Sequence, residues 1–174
     1  MSLNRYYPIL QCHAWLARVD GTTVTEDTAP AASASEWLKA GNVTSGNLSA
    51  DIETKERKQI VLGQRVPAKP VEIGRKYTAK IEVEELNKLL IDAWMRSDTT
   101  SDDDFVSQGS DESLYWLRLQ PYDEADGNRI LLQGLTFITP DGDLPLGGED
   151  FFKITLDCMF IGRVAGSLVN SYSA

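Results

Sequence analysis

The chain has 174 residues, of which 42% are hydrophobic and 25% charged, and this balance excludes a disordered or fibrous protein. Its 26 acidic residues against 17 basic ones leave a formal net charge of −9. Such a surplus argues against tight nucleic-acid binding, because that affinity comes from clustered Lys and Arg displacing counterions. No stretch reaches the roughly 20 apolar residues of a membrane-spanning helix. Residues Met1 to Leu10 lack the charged-then-apolar order of a secretion signal, so neither a membrane partner nor an encoded membrane address is expected. A single domain over residues 1–174 is the expectation from size.

The residues from Ile9 to Val19 read as a first strand, followed by a Gly/Ala/Ser/Thr-rich connection over Gly21 to Ser35. Next comes Trp37 to Val43, which leads into a strand candidate from Leu48 to Glu53. Residues 55–74 form a long arm, KERKQIVLGQRVPAKPVEIG, with five basic residues and the apolar triplet Ile60-Val61-Leu62. An apolar triplet inside a charged arm needs something to bury it, so a partner-binding element is expected; the plainer reading is a solvated β-ribbon extending the sheet.

Strict alternation of Tyr77, Ala79, Ile81 and Val83 with Thr78, Lys80, Glu82 and Glu84 predicts a strand with one wet face. It runs into a helix whose stripe is Leu86, Leu89, Leu90, Ala93 and Trp94, with Glu84 and Glu85 near its start and Arg96 near its end. Residues 98–112 are an acidic loop expected to be flexible. Its alternate Asp98, Thr100 and Asp102 suggest a calcium loop, but Asp103 stands where that loop needs glycine and Gly109 where it needs glutamate. Leu114 to Tyr122 and Arg129 to Ile138 then flank the turn signal Asp126-Gly127 and predict a hairpin. A turn-rich segment, Pro140 to Asp150, precedes a final strand in which Phe152, Ile154, Leu156, Cys158 and Phe160 alternate with polar neighbours and Met159. The expected class is mainly β: an antiparallel sandwich or barrel with one flanking helix and a protruding arm.

Chemistry finds little support. Cys12 and Cys158 are too few and too far apart for a disulfide framework or a zinc pair, and His13 is the only histidine. Adjacent Cys12 and His13 on a strand point to opposite faces, which defeats a nucleophile–base pair. No catalytic residue, cofactor or metal is therefore expected. Trp15, Trp94, Tyr115, Trp116, Phe137, Phe151, Phe152 and Phe160 are expected as core or interface filler. Charge is segregated: residues 55–80 carry a net +6, and residues 98–157 a net −11. Opposite charge on opposite poles suits head-to-tail stacking, although most charge runs are simply solvated.

Three segments carry a family likeness: Gly41-Asn42-Val43, the strand-to-helix passage from Tyr77 to Trp94, and the closing strand from Phe151 to Phe160. In this order, with a basic arm between the first two, the chain resembles the tail tube (major tail) proteins of long-tailed bacteriophages. The resemblance implies a β-sandwich or barrel with a flanking helix and sixfold rings stacked into a hollow tube. DNA would be only a transient cargo of that tube, and the chain's partners would be itself, the tape measure, the tail terminator and the baseplate or tail tip. It also implies a place in the virion after assembly in the bacterial cytoplasm. The arm would contact neighbouring subunits through Ile60, Val61 and Leu62, with Lys55, Arg57, Lys58, Arg65 and Lys69 as its charged part. The polar face of the Tyr77 strand, Glu82 and Glu84, supplies candidate acids for the lumen, where like charge would keep DNA from sticking. Type VI secretion tube proteins share this architecture, and a small β-barrel that binds an apolar ligand is the alternative from another class.

Overall fold

The computed structural model describes residues 5–6, 12–31, 33–56, 58–61, 64–67, 70–85, 88–95, 114–121, 130–142, 153–165 and 169–170. Their elements are β1 (Arg5–Tyr6), β2 (Cys12–Arg18), β3 (Leu38–Lys55), β4 (Lys58–Val61), β5 (Gln64–Pro67), β6 (Val71–Glu84), α1 (Lys88–Met95), β7 (Leu114–Pro121), β8 (Leu132–Asp141), β9 (Lys153–Ala165) and β10 (Val169–Asn170). Strands β2, β3, β6, β9, β8 and β7 pair in that order into a closed antiparallel barrel, while β4 pairs with β5 and β1 with β10. The fold is mainly β with one short helix, as the alternation pattern predicts.

Period two decides what fills the barrel. Cys12, Ala14 and Leu16 of β2, Ala79, Ile81 and Val83 of β6, Tyr115, Leu117 and Leu119 of β7, and Ile154, Leu156 and Cys158 of β9 are each at most 2% exposed. All belong to one cluster. A six-stranded barrel is narrower than the eight-stranded kind whose interior side chains just fill, so alanine and cysteine recur among its inward positions. Burial pushes the Cys12 thiol up to about 12 and raises Cys158 as well, so both stay protonated and pack as small apolar groups. Helix α1 adds Leu90 and Ala93 to the same cluster, with Leu89 and Trp94 half-buried against it. Leu86 and Arg96 lie outside the described residues.

A second cluster lies on the outer face of β2 and β7, where the segment between β2 and β3 folds back over the wall. Asp20 Oδ1 accepts the backbone N–H groups of Thr22, Thr23 and Val24 at 2.7–2.9 Å, which turns the chain and delivers Val24 to that cluster. Those donors hold the Asp20 carboxyl down at about 2. Farther along, Trp116 Nε1 donates to Thr25 O at 2.8 Å, and Trp37 Nε1 donates to Ala31 O at 3.1 Å. Arg118, 1% exposed, lies with its guanidinium 4.4 Å from the Trp37 ring and 5.2 Å from the Trp15 ring. The rings supply a polarisable surface for a cation taken out of water. Of the aromatics expected as filler, Trp15 and Trp116 pack outside the barrel and Tyr115 and Phe160 inside. Phe151 and Phe152 lie outside the described residues.

Several strands differ in extent from the sequence pattern, among them β6, which starts at Val71 rather than Tyr77. Strand β8 starts at Leu132 and runs on to Asp141, and β9 continues past Phe160 to Ala165. In β9, Gly162 at φ +76° lets the strand bend while it stays paired to β8. Strand β3 is a single 18-residue strand where the sequence suggests two pieces. Its Gly41 has φ +151°, and a Cβ there would stand 2.7 Å from Val83 Cγ1 and 2.8 Å from Glu85 Cβ. The glycine is what lets β3 approach the end of β6. Gly41→Ala is expected to lower unfolding stability by about 2–4 kcal/mol through overpacking and backbone strain. Gly74→Ala, whose Cβ would meet nothing closer than 3.5 Å, should cost less than about 1 kcal/mol. Chemical denaturation of both variants checks this, and equal losses would refute the steric reading of Gly41.

Candidate functional site

The longest ladder in the molecule joins β3 to β6, from Asn42↔Glu84 to Lys55↔Val71. Only part of it belongs to the barrel. Strand β2 pairs with β3 over Leu38 to Val43, and β9 pairs with β6 over Thr78 to Glu84. Beyond those points β3 and β6 pair with each other alone, so residues 71–77 and their partners project as a ribbon about 23 Å long. The hairpin of β4 and β5 lies between its two strands in sequence. Both outer edges of the ribbon are unpaired among the described residues, and unpaired edges are templates for strand addition.

The ribbon has two unlike faces. Partners across an antiparallel ladder share a face, and Leu48 is opposite Ala79, Ala50 opposite Tyr77, and Ile52 opposite Arg75. Ala79 points into the barrel, so the face carrying Leu48, Ala50 and Ile52 is the core-lining face continued into solvent. Leu48 is 49% exposed and Ile52 48%. The other face carries Ser49, Asp51 and Glu53 opposite Thr78, Lys76 and Gly74. Toward the tip, Val71 and Ile73 are also exposed. On the apolar face the Arg75 guanidinium grips Glu72 through Nε to Oε1 and Nη2 to Oε2, both 2.7 Å, and donates from Nη1 to Tyr77 Oη at 3.0 Å. That fork lowers the Glu72 carboxyl and raises the Arg75 guanidinium, but it is solvent-exposed and adds little stability.

A second surface is the outer face of β3, β6, β9 and β8. Here Ser45 and Asn47, then Lys80, Glu82 and Glu84, then Lys153, Thr155 and Asp157, and finally Asp141 stand side by side by register. A shallow depression lined by Ser45, Gly46, Asn47, Lys80, Glu82, Asp141 and Thr155 lies in it, with a volume near 330 Å³. Lys80 Nζ meets Asp141 Oδ2 at 2.6 Å, Lys153 Nζ meets Glu82 Oε1 at 3.4 Å, and Thr44 Oγ1 donates to Glu82 Oε1 at 2.6 Å. Thr44 first, and Lys153 after it, hold the Glu82 carboxyl below its ordinary value.

Of the residues singled out in the arm, Lys55 ends β3 and is exposed, Lys58, Ile60 and Val61 lie on β4, and Arg65 lies on β5 opposite Ile60. Arg57, Leu62 and Lys69, and the acidic loop 98–112, lie outside the described residues. Glu82 and Glu84 share the outer sheet face. The residues that the arm reading missed are Leu48 and Ile52: their alternation shows in the sequence, but it reads as a buried strand face until the partner strand is known. Among the described residues no group of three or more His, Cys, Asp and Glu is placed to hold a metal ion, and no helix is long and apolar enough to cross a membrane.

Because the Glu82 carboxyl is depressed in the folded state, its contribution to stability is present above the unfolded value near 4.3. The contribution is lost as pH falls through the folded value. Thr44→Val removes the main cause, so the gap in melting temperature between wild type and Thr44→Val should be widest at pH 6 and close toward pH 3. Thermal scans at several pH values check this, and a gap independent of pH would refute it.

No family model matches the chain, and no curated protein matches it in sequence. Its fold is similar to those of chains in three solved assemblies. One is in the sixfold-symmetrised baseplate of the anti-feeding prophage, at 11% identity over 90% of this chain and 93% of that one, TM-score 0.44. A second is in the extended sheath–tube complex of an extracellular contractile injection system, at 10% identity over 95% and 92%, TM-score 0.42. The third is in the cap that terminates the anti-feeding prophage tube, at 12% identity over 99% and 95%, TM-score 0.45. A likeness at this level transfers no role to the chain.

Proposed function

We propose that the chain is a structural, self-assembling subunit of a phage-tail-like tube, in which copies join into rings and the rings stack around a passage for DNA. The observation that carries this reading is the ribbon of β3 and β6: a core-type face at Ile52 that continues from Leu48 at its base, and two edges unpaired among the described residues, held out from a closed barrel. In a lone molecule this arrangement exposes apolar surface and invites strand pairing. In a ring, both costs are removed by neighbouring copies. The contact is heterologous, so it closes into a ring or propagates into a filament, and sixfold closure is the expectation from the family resemblance. Tape-measure, terminator and baseplate or tail-tip proteins are the further partners, and the virion is its location. No catalytic step is assigned.

The outer face of β3, β6, β9 and β8 is the surface this reading places toward the bore. It carries Glu82, Glu84, Asp141 and Asp157 against Lys80 and Lys153, with the exposed Met159 and Ile161 farther along β9, and the folded-back segment covers the opposite wall of the barrel instead. A net acidic lining lets a polyanion slide without adhering. The ligand-binding alternative needs a hollow interior. Ile81, Leu117 and Leu156 are 0% exposed, so no water-sized void touches them and the described part of the barrel is packed.

Electron microscopy of the concentrated protein tests the reading: rings or tubes are expected, and a stable monomer at high concentration would refute it. Deleting Gln59 to Pro67, or substituting Ile52→Lys, should leave a folded monomer that no longer assembles. Reversing both Glu82 and Glu84 to Lys should leave tubes that retain DNA in a gel-shift assay where wild-type tubes do not; equal DNA retention would remove these two acids from the bore.

A further inference from the structure

Strand β6 pairs with β3 without interruption from Glu82 to Gly74 and then breaks step. Glu53 is opposite Gly74 and Thr54 is opposite Glu72, so Ile73 is one residue too many on β6 and has no partner on β3. An extra residue of this kind is a β-bulge: it bends the strand, raises the local twist and re-aims what lies beyond it. Beyond it here lie the pairs Thr54↔Glu72 and Lys55↔Val71 and, between them in sequence, the hairpin of β4 and β5. Ile73 itself is 56% exposed, so packing of the extra residue does little to hold the bulge.

The bulge decides which side chains meet. In an unbroken strand, residues three apart point to opposite faces, and Glu72 would lie behind the sheet from Arg75. With Ile73 inserted, Glu72 returns to the face of Arg75 and Tyr77. There Arg75 takes both Glu72 oxygens at 2.7 Å, donates to Tyr77 Oη at 3.0 Å and lies 6.0 Å from the Tyr77 ring. Tyr77 in turn is half-buried and packs against the barrel's core cluster. A line of contacts thus runs from the core through Tyr77 and Arg75 to Glu72, and it forms only while the bulge is in place. We infer that Glu72, Arg75 and Tyr77 form a clamp across this bulge, and that the clamp fixes the direction in which the chain beyond it leaves the ribbon. All three are positioning residues. Their exposed ion pair adds little to folding, but a preference of roughly two- to five-fold between directions is within its reach. The two parallel bonds of a guanidinium fork fix orientation as well as distance, which a lysine ammonium does not. The use of that direction rests on the self-assembly reading, in which it sets where the arm meets a neighbouring copy; the clamp itself is a property of one chain.

Spin-label distances test the clamp in the full chain. The native thiols of Cys12 and Cys158 are buried and stay unlabelled. One nitroxide pair joins Thr23→Cys on the barrel to Lys55→Cys beyond the bulge, and a control pair joins Thr23→Cys to Ser49→Cys before it, all at exposed positions. Labelled chains are diluted into unlabelled protein, so that only distances within one chain are read. A single narrow 23–55 distance is expected. In Glu72→Gln and Arg75→Gln its share should fall roughly two- to five-fold against other distances, while the 23–49 distance stays the same. Arg75→Lys, which keeps the charge without the fork, should behave like Arg75→Gln, and the exchange of Glu72→Arg with Arg75→Glu should restore the narrow distance. A 23–55 distance that is already broad with the clamp intact, or that ignores Glu72→Gln and Arg75→Gln, would overturn the inference. So would an exchange that restores nothing, or a 23–49 distance that broadens as well, which would place the change in the barrel. Electron microscopy separates the two readings: an unsubstituted chain that forms no rings but keeps its narrow 23–55 distance would sink the tube and leave the clamp standing.

Discussion

The ladder between β3 and β6 is the constraint on which the rest of the structure depends. Its lower half is barrel wall and its upper half is ribbon, with no break in pairing other than the register shifts at Val43/Ser45 and Glu53/Thr54. Because side chains alternate with period two, the face that lines the core at Ala79 and Ile81 must continue outward as Leu48 and Ile52. A mobile loop could turn an apolar residue away from water. A hydrogen-bonded ribbon in fixed register cannot, so its apolar face is presented in a set direction.

The barrel closes because each neighbour of that ladder stops at a different place. Strand β2 leaves β3 at Val43, where the chain passes the close contact of Gly41 with Val83, and β9 leaves β6 at Met159, just before it bends at Gly162. The two departures carry β2 and β9 round to β7 and β8, which seal the wall. They also strip the upper half of β3 and β6 of outer partners. Closure of the barrel and exposure of the ribbon are thus one geometric event, with glycine at both points where the backbone needs a conformation or an approach that a Cβ would forbid.

Electrostatics acts on a wall already built by packing. The exposed pairs Lys80 with Asp141 and Lys153 with Glu82, and the fork of Arg75 on Glu72, contribute little to folding in water. Their role is to hold long side chains at fixed places on otherwise open faces. The charge of the chain is uneven along its sequence, net +6 over residues 55–80 and net −11 over residues 98–157.

Much of this was legible in the residues. Alternation at Tyr77 to Val83 and at Ile154 to Phe160 marked core-lining strands, and the Leu89, Leu90, Ala93 and Trp94 stripe marked the helix, because each signal is local and periodic. The sequence alone determined a mainly β chain with a helix and an acidic surplus. Tertiary structure alone decided that Leu48 and Ile52 are not core. Their alternation is the same as that of buried residues, and only the register, which sets both past the last pair of β3 with β2 and Ile52 past the last pair of β6 with β9, shows that they lie where the barrel wall ends. It also decided that Trp15, Trp37 and Arg118 form an outer cluster, since their meeting depends on a chain reversal at Asp20 and on strands distant in sequence. Periodicity can tell a residue which face it shares; it cannot say whether that face has a partner.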